Sequence, residues 1–429
     1  MLNTTTIKEY AYSLGFDIVR ITGAQEFPEV ERVIKERIAH GLMDGLPWFT
    51  AERVDVSCHP DALLPGAQSI IALAMCYLTQ QPDEDQHDTP RGRISRYAWG
   101  DDYHDIIKPR LQQFAAWLRE YARSEVGDVE TRLFVDTGRM VDRAVAQRAG
   151  LGWYGKNTNI LTKGWGSWIF LAEIVTTLPL GGDKGQNYDL PAKANCGNCE
   201  ICLHACPTAA LPAPYVLDNT RCISYLTIEL RGSIPLELRP LMGNLIFGCD
   251  ICQQVCPVNK IAEKRLGLRD QTDIPSNPPH RSRFSQPVHF QPRRAFQPRP
   301  GIGGSPELIP LLSLTEEQFR ERFRSSPIKR AKRRGLLRNV CVALGNSGDQ
   351  QAVPALINAL HDVEPLVRGH AAWALGRLGG PLAKEALEQA LESEKHEEVV
   401  AEIRCALDGF PAKSPGGAEV TKRYDMPYN

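Results

Sequence analysis

Apolar residues in the first part of the chain fall into two rhythms. Ser69-Ile70-Ile71-Ala72-Leu73-Ala74 is a short continuous apolar run, and Trp168-Ile169-Phe170-Leu171-Ala172-Glu173-Ile174-Val175 is another. Runs of this length predict buried strands, as does Thr131-Arg132-Leu133-Phe134-Val135. Between them Ile106, Leu111, Phe114, Ala115 and Leu118 recur at helical spacing, which predicts a helix over 105–121. A second helix is predicted from Met140 to Ala149, stopped by Gly150. Strands mixed with amphipathic helices over residues 1–185 predict an α/β layer domain.

Further along, the pattern changes. Residues 275–304 are rich in Pro, Arg, Gln and Phe, with no acidic residue from Pro278 to Pro300. This reads as a positively charged linker or extended arm within 263–326. From 327 to 410 the chain repeats itself. Arg338-Asn339-Val340-Cys341-Val342-Ala343-Leu344-Gly345 matches Gly369-His370-Ala371-Ala372-Trp373-Ala374-Leu375-Gly376, a period of 31 residues. That period suits stacked helix pairs of the HEAT-like kind. The tail, 411–429, is expected to be loosely ordered.

Length and charge narrow the function classes. A chain of 429 residues suggests two to four domains. Fifty Lys and Arg balance 51 Asp and Glu, so contact with nucleic acid must rest on a local patch. No apolar stretch is long enough to span a membrane, and the N-terminus has neither a basic start nor an apolar core. A cytoplasmic protein without a membrane partner is expected.

The cysteines carry the strongest chemical signal. Eight of the 12 lie between Cys196 and Cys256. The first run is Cys196-x2-Cys199-x2-Cys202-x3-Cys206-Pro207; the second group is Cys222, then Cys249-x2-Cys252-x3-Cys256-Pro257. This is the ligand pattern of a ferredoxin holding two 4Fe–4S clusters, in which the cysteine before proline serves the other cluster. One cluster is assigned to Cys196, Cys199, Cys202 and Cys256, the other to Cys249, Cys252, Cys206 and Cys222. The second run lacks one close cysteine, which Cys222 replaces from a distance. Zinc is the alternative, since paired C-x-x-C units also bind zinc. Zinc has no use for the Cys-Pro endings. Cys76, in an apolar run, is expected to pack in a core.

Several polar motifs could carry the remaining chemistry. Asp136 lies where a strand ends and a helix is expected to start; it either caps that helix or donates protons beside a redox centre. As a buried proton donor it would need a raised pKa. The glycine-rich stretch from Gly150 to Thr158 is either a loop needing positive φ or a close approach to a large cofactor, with Lys156, Asn157 and Thr158 as donors. Asp102-x-His104 resembles the start of the D-x-H-x-x-G cobalt-ligand motif, but Ile107 stands at the glycine position. Lys329, Arg330, Lys332, Arg333 and Arg334, with Arg338 a turn later, form either a solvated helix face or a phosphate-tracking patch.

Asp136-Thr137-Gly138, the Gly150–Thr158 loop, both cysteine runs and the C-terminal repeat together resemble the epoxyqueuosine reductase family over nearly the whole chain. The resemblance implies a multidomain α+β fold. Its parts would be a nitroreductase-like α/β cobalamin-binding domain (1–185), a ferredoxin-like two-cluster domain (186–262) and an α-helical HEAT-like domain (327–410). It implies reduction of epoxyqueuosine to queuosine at the wobble position of tRNA. Base-off cobalamin would receive electrons from the two clusters, and Asp136 would donate the proton. Arg53, Tyr103, Ser224, Tyr225 and Asp250 are the further candidates for cobalamin contacts, and the basic cluster is the candidate tRNA grip. An electron donor such as a flavodoxin or ferredoxin is expected, and a monomer.

Two other readings compete. One is a corrinoid reductase of a small molecule, similar to reductive dehalogenases; the basic repeat domain and the absent export signal count against it. The other is a non-catalytic ferredoxin-type electron carrier, which leaves residues 1–185 without a role.

Overall fold

Four strands organise the first part of the chain: β1 (Ile18–Gly23), β2 (Ser69–Cys76), β3 (Thr131–Phe134) and β4 (Ile169–Thr176). The computed structural model describes residues 3–80, 88–136, 138–181, 188–268 and 291–409. The strands pair in the order β1-β2-β4-β3, every pair antiparallel. Every residue of β2 is buried, because helices cover both faces of the sheet. That is why β2 reads as an unbroken apolar run rather than an alternating one.

One face packs under α1 (Thr4–Ser13) and α2 (Tyr103–Val126), where Ile7, Ile107, Leu111 and Phe114 meet Val19, Ile71, Leu73 and Ile174. The opposite face packs under the helix Ala51–Ser57 and α3 (Asp142–Arg148), where Val54, Ala144 and Val145 meet Ile18, Ile70, Ala72 and Val175. α2 starts earlier than its apolar stripe predicts, because the Asp102 carboxylate accepts a hydrogen bond from the His104 N–H (3.1 Å). Cys76 packs in the core as expected.

The cysteine-bearing segment has little regular structure of its own. Its helices are the short α4 (Ile201–His204), α5 (Ile223–Ile228), α6 (Ile251–Gln254) and α7 (Pro257–Arg265). Its strand Leu245–Phe247 pairs in parallel with Arg93–Ile94 of the first part.

The repeat folds as stacked helix pairs: α8 (Lys332–Ser347), α9 (Val353–Ala359), α10 (Pro365–Leu378), α11 (Pro381–Ser393) and α12 (Glu397–Asp408). Gly345 and Gly376, equivalent in the repeat, both sit where helices touch. A Cβ at Gly345 would lie 2.9 Å from the Ala374 Cα, and one at Gly376 would lie 2.8 Å from the Ala406 Cβ.

Two expectations need correction. The segment before the repeat is no loose linker from residue 291 onward. Phe296 is buried 5.2 Å from the Phe170 ring, and Arg293 donates to the Cys76 carbonyl (3.1 Å) and pairs with Asp17 (2.9 Å). An apolar residue flanked by charges binds wherever the core leaves a slot, which composition cannot reveal. The middle of the expected arm (269–290) and the expected tail (411–429) lie outside the described residues.

Arg338, expected to face phosphates, is fully buried (0% exposed). Its guanidinium donates to the carbonyls of Leu226 (2.5 Å), Leu230 (2.9 Å) and Gly232 (2.7 Å). Next to it Asn339 donates to the carbonyls of Thr227 and Ile246, both at 2.8 Å. These bonds satisfy backbone acceptors at the end of α5, in the turn after it and in the strand Leu245–Phe247, and join the repeat to the cysteine segment.

Two stability predictions follow from this packing. Gly345→Ala and Gly376→Ala each overpack a helix contact and are expected to lower unfolding stability by ~1–3 kcal/mol in urea titrations. Gly335→Ala, whose added Cβ would meet only the Ala331 Cβ at 3.8 Å, is the control and should stabilise by about 0.5–1 kcal/mol. Arg338→Met leaves three buried carbonyls short of a donor and is expected to cost about 3 kcal/mol or more, measured the same way.

Candidate functional site

All the described cysteines are free thiols, and the eight in the central segment gather into two sets. Burial pushes the Cys202 thiol up to about 11, and Cys256, Cys196 and Cys199 push in the same direction because they lie beside it. Cys249 and Cys252 are likewise raised, first by burial and then by their neighbours, which include Cys222 for both and Cys206 for Cys249. The sets are therefore Cys196, Cys199, Cys202, Cys256 and Cys206, Cys222, Cys249, Cys252. Cys252 also feels Cys202, so the two sets adjoin.

This donor chemistry fits iron–sulfur clusters. Four neighbouring, half-buried thiols cannot ionise side by side without a cation to offset them. Among the described residues, no group of three or more ligating side chains is placed to hold a single metal ion. Backbone N–H groups point at the sulfurs: Ala210 at Cys206 (3.3 Å), Ser224 and Tyr225 at Cys222, and Val258 and Asn259 at Cys256. Such donors stabilise thiolates and tune cluster potentials.

Neighbouring parts of the fold hold this segment in place. Asp250 is buried and accepts from Ser95 Oγ (2.5 Å) and the Arg96 N–H (2.6 Å). Asn157 donates to the Cys252 carbonyl (3.2 Å), and Lys156 pairs with Glu200 at 3.4 Å. The expected cofactor-facing donors Lys156 and Asn157 thus point at the cluster segment, and buried Thr158 (φ 66°) turns the loop between them and the sheet. Asp250 is an internal anchor, with both oxygens filled by segment 95–96.

Asp136 occupies a different environment from the one expected. It is exposed, at the end of β3, with φ at 50°. The next helix starts at Asp142, with Val141 before it making no side-chain cap, so Asp136 caps no helix. The buried Tyr103 hydroxyl donates to its Oδ2. Arg53 Nη2 donates to the Gly138 carbonyl (2.6 Å), holding the loop that carries Asp136. Arg330 lies within electrostatic reach of both Asp136 and Tyr103 while paired with Glu229. Arg143 lies within reach of Cys222 on one side and Asp142 on the other. The surroundings of Asp136 therefore draw on the sheet domain through Tyr103 and Arg53, on the first residues of the repeat through Arg330, and on the cysteine segment through the Glu229 that pairs with Arg330. Tyr225 packs against Gly45, where any Cβ would collide with its hydroxyl.

The basic cluster divides into two groups. Arg333 joins Asp362 through both nitrogens (2.5 and 3.1 Å) and with buried Arg338 serves the fold. Lys329, Arg330 and Lys332 are exposed and Arg334 is half-buried; Lys329 also pairs with Asp102 (3.0 Å). His104 is held by the same Asp102 through Nδ1 (2.9 Å).

Sequence reading missed two acids. Asp142 and Glu173 face each other beneath the loop of Asp136, and burial raises both carboxyls above their usual range. An acid inside an apolar strand was the available signal for Glu173. Its partner lies 31 positions away and is brought close only by the fold.

Comparison with known proteins finds relatives along nearly the whole chain. Three family models match the chain: epoxyqueuosine reductase QueG, DUF1730, over residues 58–137, a 4Fe-4S double cluster binding domain over 195–259, and HEAT repeats over 329–408. The epoxyqueuosine reductase of Bacillus subtilis is 36% identical over 403 residues, spanning 93% of this chain and 94% of the relative. That of Pseudomonas aeruginosa is 39% identical, spanning 87% of this chain and 94% of its own. A crystal structure of an epoxyqueuosine reductase with an epoxyqueuosine-modified tRNA-Tyr stem loop superposes with a TM-score of 0.82 at 35% identity, covering 95% of this chain and 99% of that one. The Streptococcus thermophilus enzyme superposes at 0.76 and 28% identity, with the same coverage. Likeness of this extent over nearly the full length of both chains means that the protein belongs to the epoxyqueuosine reductase family.

Proposed function

We propose that this chain reduces epoxyqueuosine at the wobble position of tRNA to queuosine, with two 4Fe–4S clusters held by the eight cysteines and a cobalamin that would sit beside Asp136. One observation carries the reading: Arg143, which follows Asp142 in the chain, is within electrostatic reach of Cys222, so the second set of thiols borders the same region as the acids at Asp136 and Asp142. An electron path and an acid meet at one cleft. The polar groups here suit a corrinoid, whose amides and phosphate need hydrogen bonds: Arg53, Arg143, Ser224 and Tyr225 would donate to it, and the Tyr103 hydroxyl, already donating to Asp136, would accept from its amides. Cobalamin supplies a strongly reducing cobalt centre there when bound.

The remaining roles fall to the chain's own groups. Asp136 protonates the oxygen that leaves, because an alkoxide is a poor leaving group. Tyr103 positions Asp136 by donating to Oδ2. A Bacillus subtilis relative has a catalytic aspartate loop that swings out of its active site; Asp136, on an exposed loop tied by Arg53, is the candidate for that role. Lys329, Lys332 and Arg334, with Arg330 nearest the cleft, attract the phosphates around the anticodon. A small one-electron carrier such as a flavodoxin or ferredoxin supplies the clusters. Among the described residues no helix is long and apolar enough to cross a membrane.

The direct test is anaerobic turnover. Protein with reconstituted clusters, cobalamin, a chemical reductant and tRNA carrying epoxyqueuosine should yield queuosine by mass spectrometry of the digested RNA. Absence of conversion with full cluster and cobalamin content would sink the reading.

Two variants test the roles. Asp136→Asn is expected to bind cobalamin and clusters normally, by their visible spectra, while turnover falls by roughly 10²–10⁴-fold. Neutralising Lys329, Lys332 and Arg334 to Gln is expected to weaken tRNA binding. It should also reduce the slope of log affinity against log salt by up to about 2, at roughly 0.7 per lost phosphate contact. An unchanged slope would move the RNA grip elsewhere.

A further inference from the structure

Glu173 has an unusual position for a carboxylate. It is 1% exposed, in the middle of β4, opposite Ala72 on β2 and Phe134 on β3. Both of its oxygens are buried without a donor, and so is Oδ1 of Asp142, the first residue of α3, which packs over the same face. The two carboxyls face each other within hydrogen-bond range. Ionised, both groups only accept hydrogen bonds, so neither can satisfy the other. A proton held between them turns one into a donor and satisfies the contact, as in other close carboxyl pairs.

The pair lies beneath the loop that joins β3 to α3. Asp136 stands at the outer end of that loop and Asp142 at its inner end, and Asp136 is within electrostatic reach of both acids. Arg143, the next residue in the chain, acts electrostatically on Asp142. We propose that Asp142 and Glu173 form a proton-sharing carboxyl pair that refills Asp136 during turnover. The proposal rests on the epoxide-reducing function above. Converting an epoxide to an alkene breaks two carbon–oxygen bonds. It takes up two electrons, delivered through the clusters by a one-electron carrier, and two protons, and the oxygen leaves as water. Asp136 holds one proton at a time, so one turnover empties it and calls for another. The pair passes its shared proton to Asp136 as a replacement proton arrives from water, so the two acids never carry two charges together, and Asp142 and Glu173 act through Asp136 as supply residues.

Glu173→Gln tests this with little disturbance, because its amide can donate to Asp142 and keep the contact filled without a shared proton. Infrared spectra of the holoenzyme at neutral pH should show the carbonyl stretch of a protonated carboxylic acid. That band should persist in Asp136→Asn and vanish in Glu173→Gln. The Glu173→Gln enzyme should bind cobalamin normally and turn over roughly tenfold to a hundredfold more slowly. Its rate should begin to fall at lower pH than the wild type's, because the raised carboxyl that holds the proton is gone. No such band in the wild type, a band that survives Glu173→Gln, or a variant with the wild-type rate and pH profile would overturn the proposal. Should Glu173→Gln fail to fold, Asp142→Asn and the wild-type spectrum decide the same question. The infrared result stands whether or not the natural substrate is epoxyqueuosine, so the failure of one reading is separable from failure of the other.

Discussion

Eight soft ligands must be held around two inorganic cores by a stretch of chain with almost no hydrogen-bonded framework of its own. The rest of the molecule is arranged around that constraint. The longest helix in the cysteine segment is the nine-residue α7, and isolated helices this short have little stability in water. Order is therefore imported from both sides. Asp250 binds the segment to Ser95 and Arg96, Asn157 ties Cys252 to the glycine-rich loop, and Asn259 accepts from the Ser167 N–H at 2.7 Å. From the opposite side Arg338 and Asn339 fill five hydrogen-bonding positions on carbonyls of residues 226–246. Buried polar groups are costly unless fully satisfied, and here they are satisfied across domain junctions, so each domain depends on its neighbours.

The same logic divides the arginines by function. Arg338, Arg333, Arg239 and Arg293 are held by carbonyls or carboxylates inside the fold. Arg330 and its exposed neighbours remain at the surface, beside the cleft. A run of basic residues that looks uniform in sequence is thus partly scaffold and partly surface. The split follows the helical turn: α8 places Arg338 toward α5 and leaves Lys332 facing outward.

The acids divide in a similar way. Asp136 is exposed and held by a tyrosine, where it can meet a substrate. Asp142 and Glu173 are buried where one charge is tolerable and two are not. The sheet makes this possible, since Glu173 is fixed by strand register opposite Phe134, two residues before Asp136.

What could be read from the chain alone was whatever is encoded locally. Cysteine spacing identified two clusters, because a cluster's ligands come mostly from one turn of chain. The strands, α2 and the repeat were legible because buried faces impose a period on neighbouring residues, although ends moved wherever a cap such as Asp102 intervened. Burial of Arg338, the inward turn of Lys156 and Asn157, the exposure of Asp136 and the packing of Phe296 were not legible. Each depends on which distant surface arrives beside it. The pairing of Asp142 with Glu173 is the clearest instance. Each acid alone is unremarkable in the sequence, and only an antiparallel sheet with α3 laid across it brings them close enough for one proton to serve both.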